Sequence, residues 1–210
     1  MEELAKNLQS TKLKKIDLNN NHIKAAGAIN FTKNLQGTKV HTIVLSNNSI
    51  GSKGVVEVAK NLRGTEVHTV DLTYTQIEDE SVGEFIYNLQ GTKVHTVNLT
   101  WNLIESVGAI KLSKSLQGTR VQNLNLSRNY IESAGASELA KNLQGTHVLK
   151  VDLSFNNIGA AGVVEFIKNL QGTEVHTVNL THTQVGDEGA GKLGKYLQGT
   201  NIHTINLSHN

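Results

Sequence analysis

The stretch "LQGTKVHTVNLTWNLIES", residues 89–106, decides the fold, because its pattern recurs along the whole chain. Leu8, Leu35, Leu62, Leu89, Leu116, Leu143, Leu170 and Leu197 each open the tetrapeptide LQGT or a close variant, always 27 residues apart. Self-similarity at such a fixed period marks a stacked array of one supersecondary unit. Within the unit, Val94, Val97 and Leu99 are followed by Asn102 and Ile104, a pattern of the form LxxLxLxxNxI.

Alternation over Val94–Thr100, with Val97 and Leu99 on one face and Asn98 and Thr100 on the other, predicts a short strand with one buried face. From Glu105 to Leu116 the apolar residues Val107, Ala109, Leu112 and Leu116 change to helical spacing. Lys114 in the last turn and Gly118 beyond it predict a helix stop with a C′ glycine. A 27-residue unit of strand, turn, helix and return has no room for an antiparallel partner. Successive strands therefore pair in parallel from repeat to repeat, leaving one polar sheet face open.

These residues carry a family resemblance. The chain resembles leucine-rich repeat proteins over essentially all of its 210 residues. The IxxxG element (Ile23 with Gly27, Ile50 with Gly54, Ile104 with Gly108, Ile131 with Gly135, Ile158 with Gly162) is similar to that of the ribonuclease-inhibitor-like subclass. The resemblance implies an α/β fold: a right-handed solenoid, or horseshoe, with a parallel concave sheet, convex helices and a concave surface that binds other macromolecules. It also implies a single array over residues 1–210, about seven full 27-residue repeats with partial units at both ends. Those ends lack evident polar caps, so an excised fragment or end-to-end self-association is expected. Cysteine-free repeats of this type resemble those of bacterial effectors, which implies a cytoplasmic protein, or one secreted from a bacterium into a host cytosol.

Two departures stand out. Thr75 and Thr183 replace the recurring Asn, and Ser81 replaces the helix-leading Gly, so local hydrogen bonding is expected to differ there. Residues 46–76 and 154–184 parallel one another at a spacing of 108 residues, as duplication of a four-repeat block would leave them.

Charged residues make up 18 % of the chain and hydrophobic ones 38 %, and no long apolar run or signal-like stretch appears, so no membrane segment is expected. A formal charge of +2 gives no reason to expect nucleic acid. The absence of cysteine excludes disulfides and thiolate metal sites. No phosphate-cradling loop or activated nucleophile is evident, so no enzymatic activity and no cofactor are expected.

Variation concentrates in the column before the recurring Asn, which reads Asn20, Asn47, Tyr74, Trp101, Arg128, Phe155, His182, His209. At about 5 Å per strand its middle members form a ridge roughly 15 Å long. Trp, Tyr and Arg dominate binding hot spots. The ridge Tyr74, Trp101, Arg128, Phe155 and His182 is therefore the expected partner-binding site, surrounded by the polar concave residues Thr96, Asn98, Asn125 and Asp152. The expected partner is a protein. Two other readings stand beside this one. A GTPase-activating repeat scaffold, another use of the subclass, would present Arg128 to a nucleotide. A ligand or metal site would use the column His41, His68, His95 with His176 and His203. A flat histidine column supplies no closing ligand, so no metal is expected. Lysines 33, 60, 114, 141, 168 and 195 form another column, read as solvated charges near helix C-termini.

Overall fold

The computed structural model describes residues 7–210. Eight strands of three residues each form one parallel sheet in sequential order: β1 (Lys15–Asp17), β2 (Thr42–Val44), β3 (Thr69–Asp71), β4 (Thr96–Asn98), β5 (Asn123–Asn125), β6 (Lys150–Asp152), β7 (Thr177–Asn179) and β8 (Thr204–Asn206). Each strand pairs with the next at an offset of 27 residues, as in Val70 with Val97 and Val97 with Leu124. Among the described residues, seven helices alternate with them: α1 (Ala25–Lys33), α2 (Gly51–Asn61), α3 (Asp79–Tyr87), α4 (Ser106–Ser115), α5 (Ser133–Asn142), α6 (Gly159–Asn169) and α7 (Gly186–Leu197). The result is an open α/β horseshoe in which neighbouring helices pack on one another.

The core is the repeat pattern made solid. In the unit quoted above, Val94, Val97, Leu99, Ile104, Ala109, Leu112 and Leu116 are all fully buried. Val107 is the exception to the sequence expectation. It is 53 % exposed, because α4 turns Gly108, Ala109, Leu112 and Ser113 inward instead. Apolar spacing identified a helix here but did not fix its phase. The strand is also shorter than the alternation over Val94–Thr100 predicts.

Each residue of LQGT has a separate task. Leu89 is buried, and the Thr92 hydroxyl donates to its carbonyl at 2.6 Å while accepting from Val94 N–H. The Gln90 amide reaches the next repeat and donates to the Gln117 carbonyl at 2.8 Å. Gly91 has φ +75°, left-handed backbone that an L side chain strains. Gly118, expected at C′, lies one residue further out, after C-cap Leu116 and Gln117.

The recurring Asn stitches repeats together. The Asn102 amide nitrogen lies 2.9 Å from the Leu72 carbonyl of the preceding repeat and 3.0 Å from Leu99 O. Its oxygen accepts from Thr75 N–H and Ile77 N–H. The short threonines cannot make this span. Thr75 and Thr183 donate within their own repeats, to Leu72 and Leu180, and their backbone carbonyls accept from Gly51 N–H and Gly159 N–H instead. The expected local difference in hydrogen bonding is therefore present at both positions. Among the described residues no buried side-chain polar atom lacks a partner, and no helix is long and apolar enough to cross a membrane.

Candidate functional site: a stacked ridge at the ends of the strands

Every residue of the variable column adopts left-handed backbone, with φ between +52° and +58° from Asn20 to His209. The N–H of Trp101 donates to Ser127 O, and those of Tyr74, Arg128, Phe155 and His182 bond in the same way to the following repeat. The sheet's hydrogen bonding thus pins this backbone just beyond each named strand and turns the side chain out. Among residues that carry a side chain, asparagine is one of those that enter this conformation most readily, and Asn20 and Asn47 occupy it. From Tyr74 onward the chain places bulky side chains in a conformation that costs an L residue about 1–2 kcal/mol.

Those side chains contact one another along the array. Tyr74 meets Trp101 edge to face at 6.5 Å between ring centroids. The Arg128 guanidinium lies 5.0 Å from the Trp101 ring and 3.8 Å from the Phe155 ring. Phe155 stacks on His182 at 4.6 Å, and His182 on His209 at 4.9 Å. Trp101 nonetheless remains 51 % exposed. Arg128 forms none of the ion pairs among the described residues, so two rings hold its guanidinium in place of a carboxylate.

The polar concave residues form a different surface. Thr96, Asn98, Asn125 and Asp152 line one shallow depression of about 350 Å³ with Lys150 beside them. Much of their bonding capacity is engaged locally. Asp152 accepts from Ser154 and Asn179, Asn98 accepts from Thr100 and donates to Asp71, and Asn125 accepts from Ser127 N–H. The Thr96 hydroxyl accepts from the Asn123 amide at 3.0 Å. These groups give the depression its floor, while the ridge supplies protruding area.

The histidine rings lie side by side at the repeat spacing, but only His68 and His95 are stacked, His41 meeting His68 edge to face and His176 tilted against His203. Ring centroids of His41 and His68 are 5.0 Å apart and those of His68 and His95 5.3 Å, with His176 and His203 at 5.8 Å. Desolvation, with His41 and His95 as like-charged neighbours, lowers the His68 pKa. No group of three or more metal-ligating side chains is assembled among the described residues. In the lysine column, Lys60, Lys141 and Lys168 pair with Glu57, Glu138 and Glu165 one turn earlier.

Sequence reasoning missed a second outward column. Leu103 and Tyr130 follow the ladder residues Asn102 and Asn129 and are 43 % and 59 % exposed. Their signal was legible in principle, since the equivalent residues elsewhere are the polar Ser49, Gln76, Asn157 and Gln184.

An open parallel solenoid with an exposed stacked ridge defines a repeat scaffold. The Leucine Rich repeat family model matches residues 9–31, 92–113, 146–166 and 174–194, stretches that fall on the repeats of the solenoid described above, and the fold is that of a leucine-rich-repeat horseshoe. Among solved structures it is similar to an internalin (InlF) from Listeria monocytogenes, with TM-score 0.59 and 15 % identity over 100 % of this chain and 51 % of that one. It is also similar to actin-binding site 2 of leiomodin-1, with TM-score 0.54 and 17 % identity over 81 % and 86 % of the two chains. A third similarity is to the complex of Rad7 and Elc1 in yeast, with TM-score 0.52 and 12 % identity over 98 % and 60 %. At these identities the likeness is one of fold. The chain spans about half the length of the internalin it matches. No sequence among the curated proteins matches it.

Proposed function

We propose that the chain is a non-catalytic protein-binding module whose anchor is the ridge Tyr74, Trp101, Arg128, Phe155 and His182. One observation carries this reading: bulky side chains occupy a left-handed column that asparagine fills at Asn20 and Asn47, and all but the half-buried Arg128 stay exposed. Strain held at exposed positions, with large aromatic area, is expected of a binding surface. The polar depression around Thr96, Asn98, Asn125 and Asp152 is the surround that a partner meets after the anchors are seated. The fold is a workable platform for such binding, as the actin-binding site of leiomodin-1 and the Rad7–Elc1 complex indicate. Cysteine-free 27-residue repeats favour a bacterial effector working in a host cytosol.

The test is a mass-spectrometric pull-down from eukaryotic cytosol with the parent and a Trp101→Asn, Phe155→Asn variant, since asparagine suits the left-handed backbone. A protein retained by the parent and lost by the folded variant supports the module. Identical retention by both refutes the ridge as its anchor.

A further inference from the structure

The ridge does not end at the sheet. Beside it, on the loops leading into the helices, the middle repeats carry an apolar and acidic rim. Leu103 N–H donates to Ile77 O and Tyr130 N–H to Ile104 O, each at 2.9 Å, and these bonds form two isolated parallel bridges, Glu78 with Leu103 and Glu105 with Tyr130. Each bridge fixes a carboxylate-bearing residue next to an exposed apolar one. Glu132 continues the acidic column, and lines a groove of about 420 Å³ together with Tyr130, Phe155 and His182.

The three carboxylates are held but not used. Side chains of the preceding repeat bind their backbones: Ser52 accepts from Glu78 N–H, Asp79 from Glu105 N–H and Ser106 from Glu132 N–H. None of the three makes a side-chain cap hydrogen bond, although each is the N-cap of its helix. None enters an ion pair among the described residues, whereas Glu57, Glu66, Glu80, Glu84, Glu138, Glu165 and Glu188 all do. Helix initiation does not require them, because α2 and α6 begin with no acidic residue in the first turn. On a chain of formal charge +2, this places an unneutralised acidic strip along one apolar patch.

Resting on the binding-module reading above, we propose that this rim and the ridge together take a cationic, apolar-containing segment of a protein partner, with lysine or arginine over Glu78, Glu105 and Glu132. Charge complementarity selects that occupant. Arg128, fixed between Trp101 and Phe155, repels a second cation from the ridge itself, so the segment lies with its apolar side chains on Leu103, Tyr130 and Phe155 and its cations toward the three carboxylates. An extended segment repeats on one face every ~6.6 Å against the ~5 Å advance of the repeats, a mismatch of under ~2 Å per step that long side chains can absorb over two or three repeats and no further.

The test uses fluorescein-labelled acetyl-Lys-Leu-Lys-Leu-Lys-amide and its counterpart with glutamate for lysine, read by anisotropy. The lysine peptide is expected to bind saturably and at least about tenfold more tightly than the glutamate peptide. A Glu105→Gln, Glu132→Gln variant should bind it about three- to tenfold more weakly, and salt at twice the physiological strength should erode the difference. Equal affinity for both peptides, undiminished binding by the glutamine variant, or no saturable binding below about 1 mM overturns the proposal. These failures are separable from failure of the module. Loss of the charge preference while Trp101→Asn, Phe155→Asn still abolishes protein capture removes the rim alone, and loss of both removes the module.

Discussion

The side-chain oxygen of Asn102 accepts the backbone N–H of Ile77 at 3.0 Å and so joins one repeat to the loop of the one before it. Asn102 is 3 % exposed, and the same amide also serves Thr75 N–H and Leu72 O. Truncation in Asn102→Ala leaves two buried donors, Thr75 N–H and Ile77 N–H, unpaired, while Leu72 O keeps the Thr75 hydroxyl, so a loss of about 2–4 kcal/mol is expected. Urea denaturation measures it. Asn19→Ala, at an exposed site, is the control and should stay within about 0.5 kcal/mol of the parent.

Glycines of the same array have opposite values. A Cβ on Gly135 would stand 2.7 Å from the Ser106 Cα, backbone that cannot swing away, so Gly135→Ala should lose about 1–3 kcal/mol. Gly191 lies inside α7 with nothing within 4 Å of the same construction, and its φ is not positive. There alanine meets open space and lowers the entropy of the unfolded chain, so Gly191→Ala should gain about 0.5–1 kcal/mol. Thermal midpoints of the two variants should move in opposite directions. A gain for Gly135→Ala would contradict the close helix packing described here.

What the sequence disclosed follows from period. A 27-residue interval and an alternating triplet are local signals repeated many times, and they specified parallel strands and the helix side, whereas the recurring Asn was visible as a pattern but its bonds between repeats were not. Phase was weaker: Val107 has helical spacing but points outward, since Gly108 and Ala109 take the inward arc. The ridge was visible as a column of variation, yet its left-handed backbone was not deduced, although Asn20 and Asn47 are the residue type that favours it. The rim was missed because Leu103 and Tyr130 become neighbours of Glu78 and Glu105 only through bridges across repeats.

Acidification should weaken the fold through His68. Desolvation first, then the charges of His41 and His95, hold its folded pKa below the ordinary value of about 6.5. The unfolded chain therefore binds the proton more readily than the native one. Stability is full above the unfolded pKa and declines as pH falls below about 6.5 towards the lowered folded value. His68→Gln should flatten this part of the profile, and Gln122 already occupies the equivalent position of a later repeat. Urea midpoints at a series of pH values between neutrality and about pH 5 provide the check. An unchanged slope in the variant would show that other groups carry the acid sensitivity.

Trp101 and Asn102 are adjacent in the chain, but Asn102 is buried and joins two repeats, whereas Trp101 is half exposed and touches only other ridge side chains in ring contacts. Replacing Trp101 by asparagine removes the edge contact with Tyr74 and one of the two rings on Arg128. Such contacts are worth about 0.5–1.5 kcal/mol each. The same change relieves about 1–2 kcal/mol of left-handed strain. The terms offset, and Trp101→Asn should leave stability within about 1 kcal/mol of the parent while it reduces partner capture. Urea denaturation and the pull-down are read together on this single variant. Severe destabilisation would mean that the rings cover and support the rim as structural elements, and retained capture at parental stability would place the binding anchor elsewhere on the horseshoe.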